Sequence, residues 1–385
     1  MSTQVEDDIV LKLLHTADWH LGRRFPRLDE DAQKKLSRAR LEVIDRVLHM
    51  AERNVVNAVL CAGDLFDEPS PDRTWWHELA KLFSKRDWNN RPVFLLPGNH
   101  DPLTLDSVWS KEQFRKELPA FVHIVDRENF EYPLGDNAVL YAVPCMSRAG
   151  QNDPTTKIPE RQPGDTRIRI GMVHGSTFDA VDCQTNFPIH ADAALQRGLD
   201  YLAIGDTHGF RFVPPDRVRP PTIYPGAPEP TAFDEKEPGH VAVVLMTRQR
   251  DARVRKERVA HWTWEEASAG SISELRALAR RSDLHDRVLR LSIEMRVPAP
   301  EYEEAERLIE ELVGTDAKHG KVGVLELDRS RLTLDTDSVA SFCAALPPVM
   351  KAAVERLRAA AENEGEREAA ERALYHLYRL SRKAS

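Results

Sequence analysis

Five short clusters of metal-ligating residue types punctuate the first half of the sequence. They are Asp18-Trp19-His20, Gly63-Asp64-Leu65-Phe66-Asp67, Gly98-Asn99-His100-Asp101, His174-Gly175 and Gly205-Asp206-Thr207-His208. Carboxylates, imidazoles and one amide oxygen, with no thiolate among them, form a donor set for hard or borderline divalent metals. Two such ions about 4 Å apart can clamp the attacking and leaving oxygens of an in-line phosphoryl displacement, with a carboxylate bridging them. Gly63, Gly98 and Gly205 permit tight turns that set the next side chain on the floor of a crevice. Each cluster alone is a common turn. The five in this order point to a metal-dependent phosphoesterase.

Every cluster follows an apolar run that reads as a strand, at 9–14, 55–62, 92–96, 167–173 and 201–204. Helical spacing runs over 33–54, with Leu41, Ile44, Val47, Leu48 and Ala51 on one face, and again over 72–86. Strand and helix alternate to about residue 128, and short strands with turn signals follow, including 138–143, 241–246 and 253–259. The expected class is α/β, a layered core flanked by helices. In such folds the carboxyl ends of strands open on one crevice, where the clusters can meet. A smaller unit begins near Ser271 as helix (272–281), strand (288–297), helix (300–313) and strand (322–327). The tail over 347–382 reads as two amphipathic helices broken near Asn363-Glu364-Gly365, with apolar positions at Val354, Leu357, Ala361, Ala370, Leu374, Leu377 and Leu380. The tail lies beyond two complete α/β units, which favours a partner-binding pair over helices packed on their own domain.

Of the 385 residues, 41% are hydrophobic and 30% charged, enough apolar material for a large core in an ordinary soluble chain. No apolar run approaches the roughly 18 residues of a membrane span, and the polar, acidic residues 1–8 carry no secretory pattern. Cys61, Cys145, Cys183 and Cys343 are far apart and form no CxxC pair, so a cytoplasmic location without a disulfide framework is expected. The formal net charge of -8 argues against holding nucleic acid by bulk electrostatics; any grip on DNA would be local or supplied by a partner.

The order of the clusters resembles the calcineurin-like metallophosphoesterases, and among them the DNA-repair nuclease branch of SbcD and the meiotic recombination eleven nuclease. Leu14-His15-Thr16-Ala17-Asp18-Trp19-His20-Leu21-Gly22 is similar to that branch's opening motif, and Gly63 to Asp67 and Pro97 to Pro102 agree with it. Tyr224-Pro225-Gly226-Ala227-Pro228-Glu229 resembles a further stretch of the branch. The likeness runs from about Leu11 to Val244. It implies a two-sheet sandwich over 1–265, a small α/β capping domain over 266–336 and a helical partner-binding tail over 337–385. It also implies a homodimer that binds DNA with an SbcC-type coiled-coil ATPase, and a 3′-to-5′ exonuclease with endonuclease activity.

By the same resemblance Asp18, His20 and His208 hold one metal, Asn99, His174 and Asp206 hold the second, and Asp64 bridges both. His100 lies just outside as general acid or charge stabiliser. Asp206 departs from the resemblance, which places a histidine there; the added negative charge favours Mn²⁺, with Mg²⁺ as the alternative, over Zn²⁺. Two other functions stay open: a phosphoesterase for a non-DNA substrate, and a weakly catalytic scaffold that senses DNA ends.

Arg23 and Arg24 follow the first cluster and could touch phosphate, as could Arg211, Arg217 and Arg219 in a long proline-rich loop; solvated charge is the plainer reading for all five. Trp75 and Trp76 could stack on bases, but packing on the core is expected of them. His49, His77, His123, His190, His240 and His261 lie outside the clusters and read as structural or solvated.

Overall fold

A computed structural model of the protein describes residues 8–88, 91–178, 186–213, 221–314, 320–335, 347–363 and 365–383. Cys183, Cys343, Arg217, Arg219 and the expected boundary at 336–337 lie outside the described residues.

The chain begins β1 (Ile9–Thr16), α1 (Glu30–Arg53), β2 (Ala58–Cys61), α2 (Arg73–Ser84), β3 (Val93–Leu95), α3 (Glu112–Glu117) and β4 (Val122–Ile124). It continues β5 (Phe130–Pro133), β6 (Ala138–Val143), β7 (Ile168–His174), β8 (Thr177–Phe178), β9 (Ile189–His190), α4 (Ala193–Gln196) and β10 (Tyr201–Gly205). Then come β11 (Arg211–Val213), β12 (Thr222–Tyr224), β13 (His240–Thr247), β14 (Ala252–Arg258) and β15 (Thr263–Ala269). The last stretch is α5 (Ile272–Ala279), β16 (Arg287–Val297), α6 (Ala299–Val313), β17 (Val324–Leu334), α7 (Pro348–Ala361) and α8 (Arg367–Lys383).

Two compact units result, Met1–Trp262 and Thr263–Ser385. The first holds two six-stranded sheets, ordered β14-β13-β1-β2-β3-β4 and β11-β12-β10-β7-β6-β5. In the first sheet β1 to β4 are parallel and β13 joins β1 antiparallel. In the second β6, β7, β10 and β12 are parallel. The sheets face each other across a core of Leu11, Leu13, Leu60 and Phe94 against Leu140, Ile170, Met172, Tyr201 and Ala203. The opposite face of the first sheet, with Leu14, Val59 and Leu95, packs under Val43, Val47, Leu79 and Phe83 of α1 and α2. Strands buried on both faces explain the unbroken apolar runs in the sequence. Each fully buried side chain of this kind contributes about 1.5–3 kcal/mol. The α1 helix starts where Asp29 accepts the Ala32 N–H, and its buried face is the one the spacing predicts. The expected two-sheet sandwich flanked by helices is what forms.

The second unit is a parallel sheet in the order β15-β16-β17. Leu289, Leu291, Ile293, Met295 and Val297 of β16 alternate onto one face, packed with Leu275 of α5 and Leu308 and Leu312 of α6. Two features differ from the sequence reading. Thr263–Ala269 is a strand of this unit, although its two glutamates and two alanines give little local strand signal. The tail, expected as a partner-binding pair, packs on its own unit. Strand β17 runs on to Leu334, beyond the expected 327, and Leu334 joins Val354 of α7, Leu374, Tyr375 and Tyr378 of α8, and Ala299 in one apolar cluster. Glu371 also accepts the Leu334 N–H at 3.2 Å. Val349 and Leu380 are the large apolar side chains that these helices leave exposed among the described residues.

Candidate metal centre

Strands β1, β2 and β3 of one sheet and β7 and β10 of the other end at the five clusters. All five ends are carboxyl ends of parallel strands, which converge on one side of the sandwich. The loops cross-brace each other through their backbones. The Asp18 N–H donates to Gly63 O and the His20 N–H to Asp64 O, each at 3.0 Å. The buried Asp101 accepts the Phe66 N–H at 3.0 Å and the Gly98 N–H at 2.7 Å, which ties the second cluster to the third.

Four of the seven expected ligands stand in a backbone region that L-residues avoid, with φ of 54° at Asp18, 44° at His20, 53° at Asp64 and 110° at Asp206. Such strain, of order 1–3 kcal/mol per residue, persists only where surrounding structure enforces it, and it clusters at functional sites. Gly98 shows how tight the enforcement is. A Cβ there would lie 2.1 Å from Asp64 Oδ1, so no other residue fits against that carboxylate.

All seven come together. His20 Nε2 and His208 Nε2 face each other at 3.1 Å. His174 Nε2 lies 2.9 Å from Asn99 Oδ1, 3.3 Å from Asp64 Oδ2 and 3.9 Å from Asp206 Oδ1. Asp64 Oδ2 also lies 3.8 Å from His20 Nε2, between the two groups. Asp18 accepts the Asp206 N–H at 3.0 and 3.2 Å. Ligand atoms cluster as Asp18, His20 and His208, as Asp18, Asp64 and His174, and as His20, Asp67 and His100, so Asp18 and His20 are each shared by two groups. Asp18, His20, Asp64 and His174 are all buried.

The imidazole tautomers test whether a cation fits. His20 Nδ1 donates to Asp67 Oδ1 at 2.9 Å, His208 Nδ1 to Glu235 Oε1 at 2.6 Å, and His174 Nδ1 to the Ala62 carbonyl at 2.8 Å. With Nδ1 donating, each ring turns Nε2 inward, toward another ring nitrogen, an amide oxygen or a carboxylate, where it can hold a metal ion or a proton. Positive charge relieves that arrangement: burial opposes charge on His174 and His208, but the carboxylates of Asp64 and Glu235 beside them overcome it and raise both. Partners on the far nitrogen are how metal-binding histidines are held. Electrostatics agree. Burial pushes Asp18 up to about 7 and His20 down to about 4. Burial works against charge on Asp64 too, but His174 beside it overcomes this and holds the carboxyl below its usual range. The donor set therefore fits divalent metal ions.

His100 donates its backbone N–H to Asp64 Oδ1 at 2.9 Å, and its Nδ1 lies 3.1 Å from the Asp67 carbonyl. Its ring stands 4.9 Å from that of His20. Arg23 reaches Asp67 Oδ1 at 3.3 Å, whereas Arg24 and Arg211 are exposed. Trp76 is core and Trp75 packs beside Gly22. His77 pairs with Glu117 at 2.7 Å and His123 stacks on Phe94, both away from the clusters. Sequence reasoning gave no role to Asp67, Asp101, Ser176, Thr231 or Glu235. Asp67 and Asp101 lie within the quoted clusters, but nothing local marks the other three.

The calcineurin-like phosphoesterase family profile matches residues 11–210. The chain belongs to this family. The family uses divalent metals, and this chain carries grouped Asp and His side chains that could hold them. It is 27% identical over 263 residues to an uncharacterized metallophosphoesterase, YhaO, of Bacillus subtilis, covering 67% of this chain and 62% of the relative. It is 28% identical over 208 residues to the DNA double-strand break repair protein Mre11 of Sulfolobus acidocaldarius, covering 52% and 50%. Over 98 residues it is 32% identical to SbcD, a component of the nuclease SbcCD of Bacillus subtilis, covering 24% and 22%. The matches thus span 62% or less of these relatives' own lengths. No described helix is long and apolar enough to cross a membrane.

Proposed function

We propose that this metallophosphoesterase hydrolyses DNA phosphodiester bonds with two divalent ions, Mn²⁺ ahead of Mg²⁺, as a 3′-to-5′ exonuclease with endonuclease activity in DNA repair. The observation that carries the phosphodiesterase reading is the convergence of three imidazole Nε2 atoms on buried carboxylates. DNA as substrate is supported by the relatives named as a double-strand break repair protein and a nuclease component. Asp18, His20 and His208 would hold one ion, Asn99, His174 and Asp206 the other, and Asp64 both. Bound there, two ions neutralise the phosphate charge and acidify the attacking water.

The chain's own residues do the rest. Asp67 and Glu235 keep the His20 and His208 rings oriented with Nε2 inward. With Nδ1 committed to the Asp67 carbonyl, His100 in its doubly protonated form would give the Nε2 proton to the leaving oxygen, returning to the neutral ring, or would steady charge on the phosphate. Arg23, half-buried beside Asp67, would meet a phosphate, and the exposed Arg24 would extend that reach. With a net charge of -8 the chain has a modest hold on DNA by itself and would need help to bind it. The resemblance to the SbcD branch, with the relative named as a subunit of the nuclease SbcCD, supports a homodimer working with an SbcC-type coiled-coil ATPase.

The test is incubation of the purified chain with end-labelled linear DNA and Mn²⁺, with and without EDTA. Manganese-dependent release of nucleotides from 3′ ends, stopped by EDTA, is expected. The longest of these matches, to an uncharacterized metallophosphoesterase, favours a second reading, a non-DNA phosphoester substrate. EDTA-sensitive hydrolysis of bis-p-nitrophenyl phosphate with intact DNA would select it.

A further inference from the structure

Asp206 differs from the other carboxylates of the site in how its side chain is held. Its Oδ2 accepts the Ser176 hydroxyl, while Oδ1 faces His174 Nε2 at 3.9 Å. Its backbone N–H is committed to Asp18 at 3.0 and 3.2 Å, and its φ is 110°. Ser176 in turn sits on a pinned segment. Its N–H donates to Asn186 O at 3.2 Å and its carbonyl accepts the Ile189 N–H at 2.9 Å. On either side, Tyr224 Oη donates to the Gly175 carbonyl and accepts the Thr177 N–H, each at 2.8 Å. A free carboxylate can chelate with both oxygens, bridge, or turn away. Here the Ser176 hydroxyl takes up Oδ2 and leaves Oδ1 as the oxygen turned toward His174, and the backbone that carries the hydroxyl is pinned on both sides.

We infer that Ser176 is a positioning residue that makes Asp206 a single-oxygen ligand and so sets the affinity of one of the two ions. The inference rests on the ligand set under the proposed function. Hydrogen bonds to a ligating carboxylate fix its orientation, and losing such a partner typically weakens metal binding by about 10- to 100-fold. Ser176 itself touches neither ion nor substrate.

The test uses the full chain, stripped of metal and titrated with Mn²⁺ by calorimetry, with electron paramagnetic resonance as a second readout. Ser176→Ala should weaken one of two Mn²⁺ sites by about 10- to 100-fold. It should leave the other site as tight as before and lose the exchange-coupled Mn²⁺ pair signal at sub-saturating metal. Ser176→Thr, which keeps the hydroxyl, should restore both. Asp206→Ala serves as the reference and should remove the same site. If Ser176→Ala binds two ions as tightly as the unaltered chain while Asp206→Ala loses one, the role of Ser176 is overturned and the ligand set stands. If Asp206→Ala also keeps two tight ions, Asp206 is no ligand and the ligand set falls with the inference.

Discussion

The crevice end of the first unit and the sheet of the second unit handle charge in opposite ways. In the crevice, Asp18, Asp64, His20 and His174 are buried with like groups turned toward each other, on backbone that four non-glycine residues hold at positive φ. In the second unit the charges lie outside, apart from Glu371 among the described residues, which is buried and accepts the Leu334 N–H. Arg331 pairs with Glu294 at 2.9 Å and Arg329 with Glu306 at 3.0 Å on partly or fully exposed side chains, and its described residues include no non-glycine positive φ. Exposed pairs of that kind add little stability and mainly keep a surface soluble. The buried, strained arrangement lowers stability and persists because the sandwich around it is large. The difference marks out the candidate metal centre.

The comparison can be broken most severely at Asp64. Asp64→Ala removes the carboxylate between the two ligand groups and should abolish both metal binding and hydrolysis, read by elemental analysis and by phosphodiester turnover. Full metal content with normal turnover would show that the crevice charges are not a metal site. In the second unit the largest effect should come from apolar packing. Leu374 is fully buried in the cluster that joins α7 and α8 to Leu334, and Leu374→Ala should destabilise that unit by about 2–5 kcal/mol in denaturant titration. Metal binding should stay unchanged. A change below about 0.5 kcal/mol, the range of ordinary surface substitutions, would mean the tail is not part of that core.

His100→Ala should keep both ions and slow hydrolysis by about 10²-fold or more, equivalent to about 2.7 kcal/mol of barrier. An unaltered turnover number would remove His100 from the reaction. Smallest of all is Arg331→Ala, which breaks an exposed pair and should change stability by less than about 1 kcal/mol and activity not at all. A larger loss would mean that the outer charges of the second unit act as more than solvated surface.

Much of the catalytic unit was legible in the sequence. The apolar runs before each cluster are the strands whose carboxyl ends meet, because strands buried on both faces leave an unbroken hydrophobic signature. All seven expected ligands lie together for that reason. What stayed hidden depends on contacts between distant segments. Glu235 reaches His208 across 27 positions and Ser176 reaches Asp206 across 30, with no local pattern to announce either. Strand β15 is hidden for a different reason, since pairing with β16 overrides its weak strand composition. The tail helices showed their apolar stripes, but periodicity does not say which surface covers a stripe. The longer reach of β17 supplied that surface.

The most direct measurement is anomalous diffraction at the manganese edge from crystals of the full chain soaked in Mn²⁺. Two peaks are predicted, one among Asp18, His20 and His208, the other among Asn99, His174 and Asp206, with Asp64 touching both. A single peak in an active crystal form, or peaks elsewhere with the crevice empty, would contradict the two-metal account.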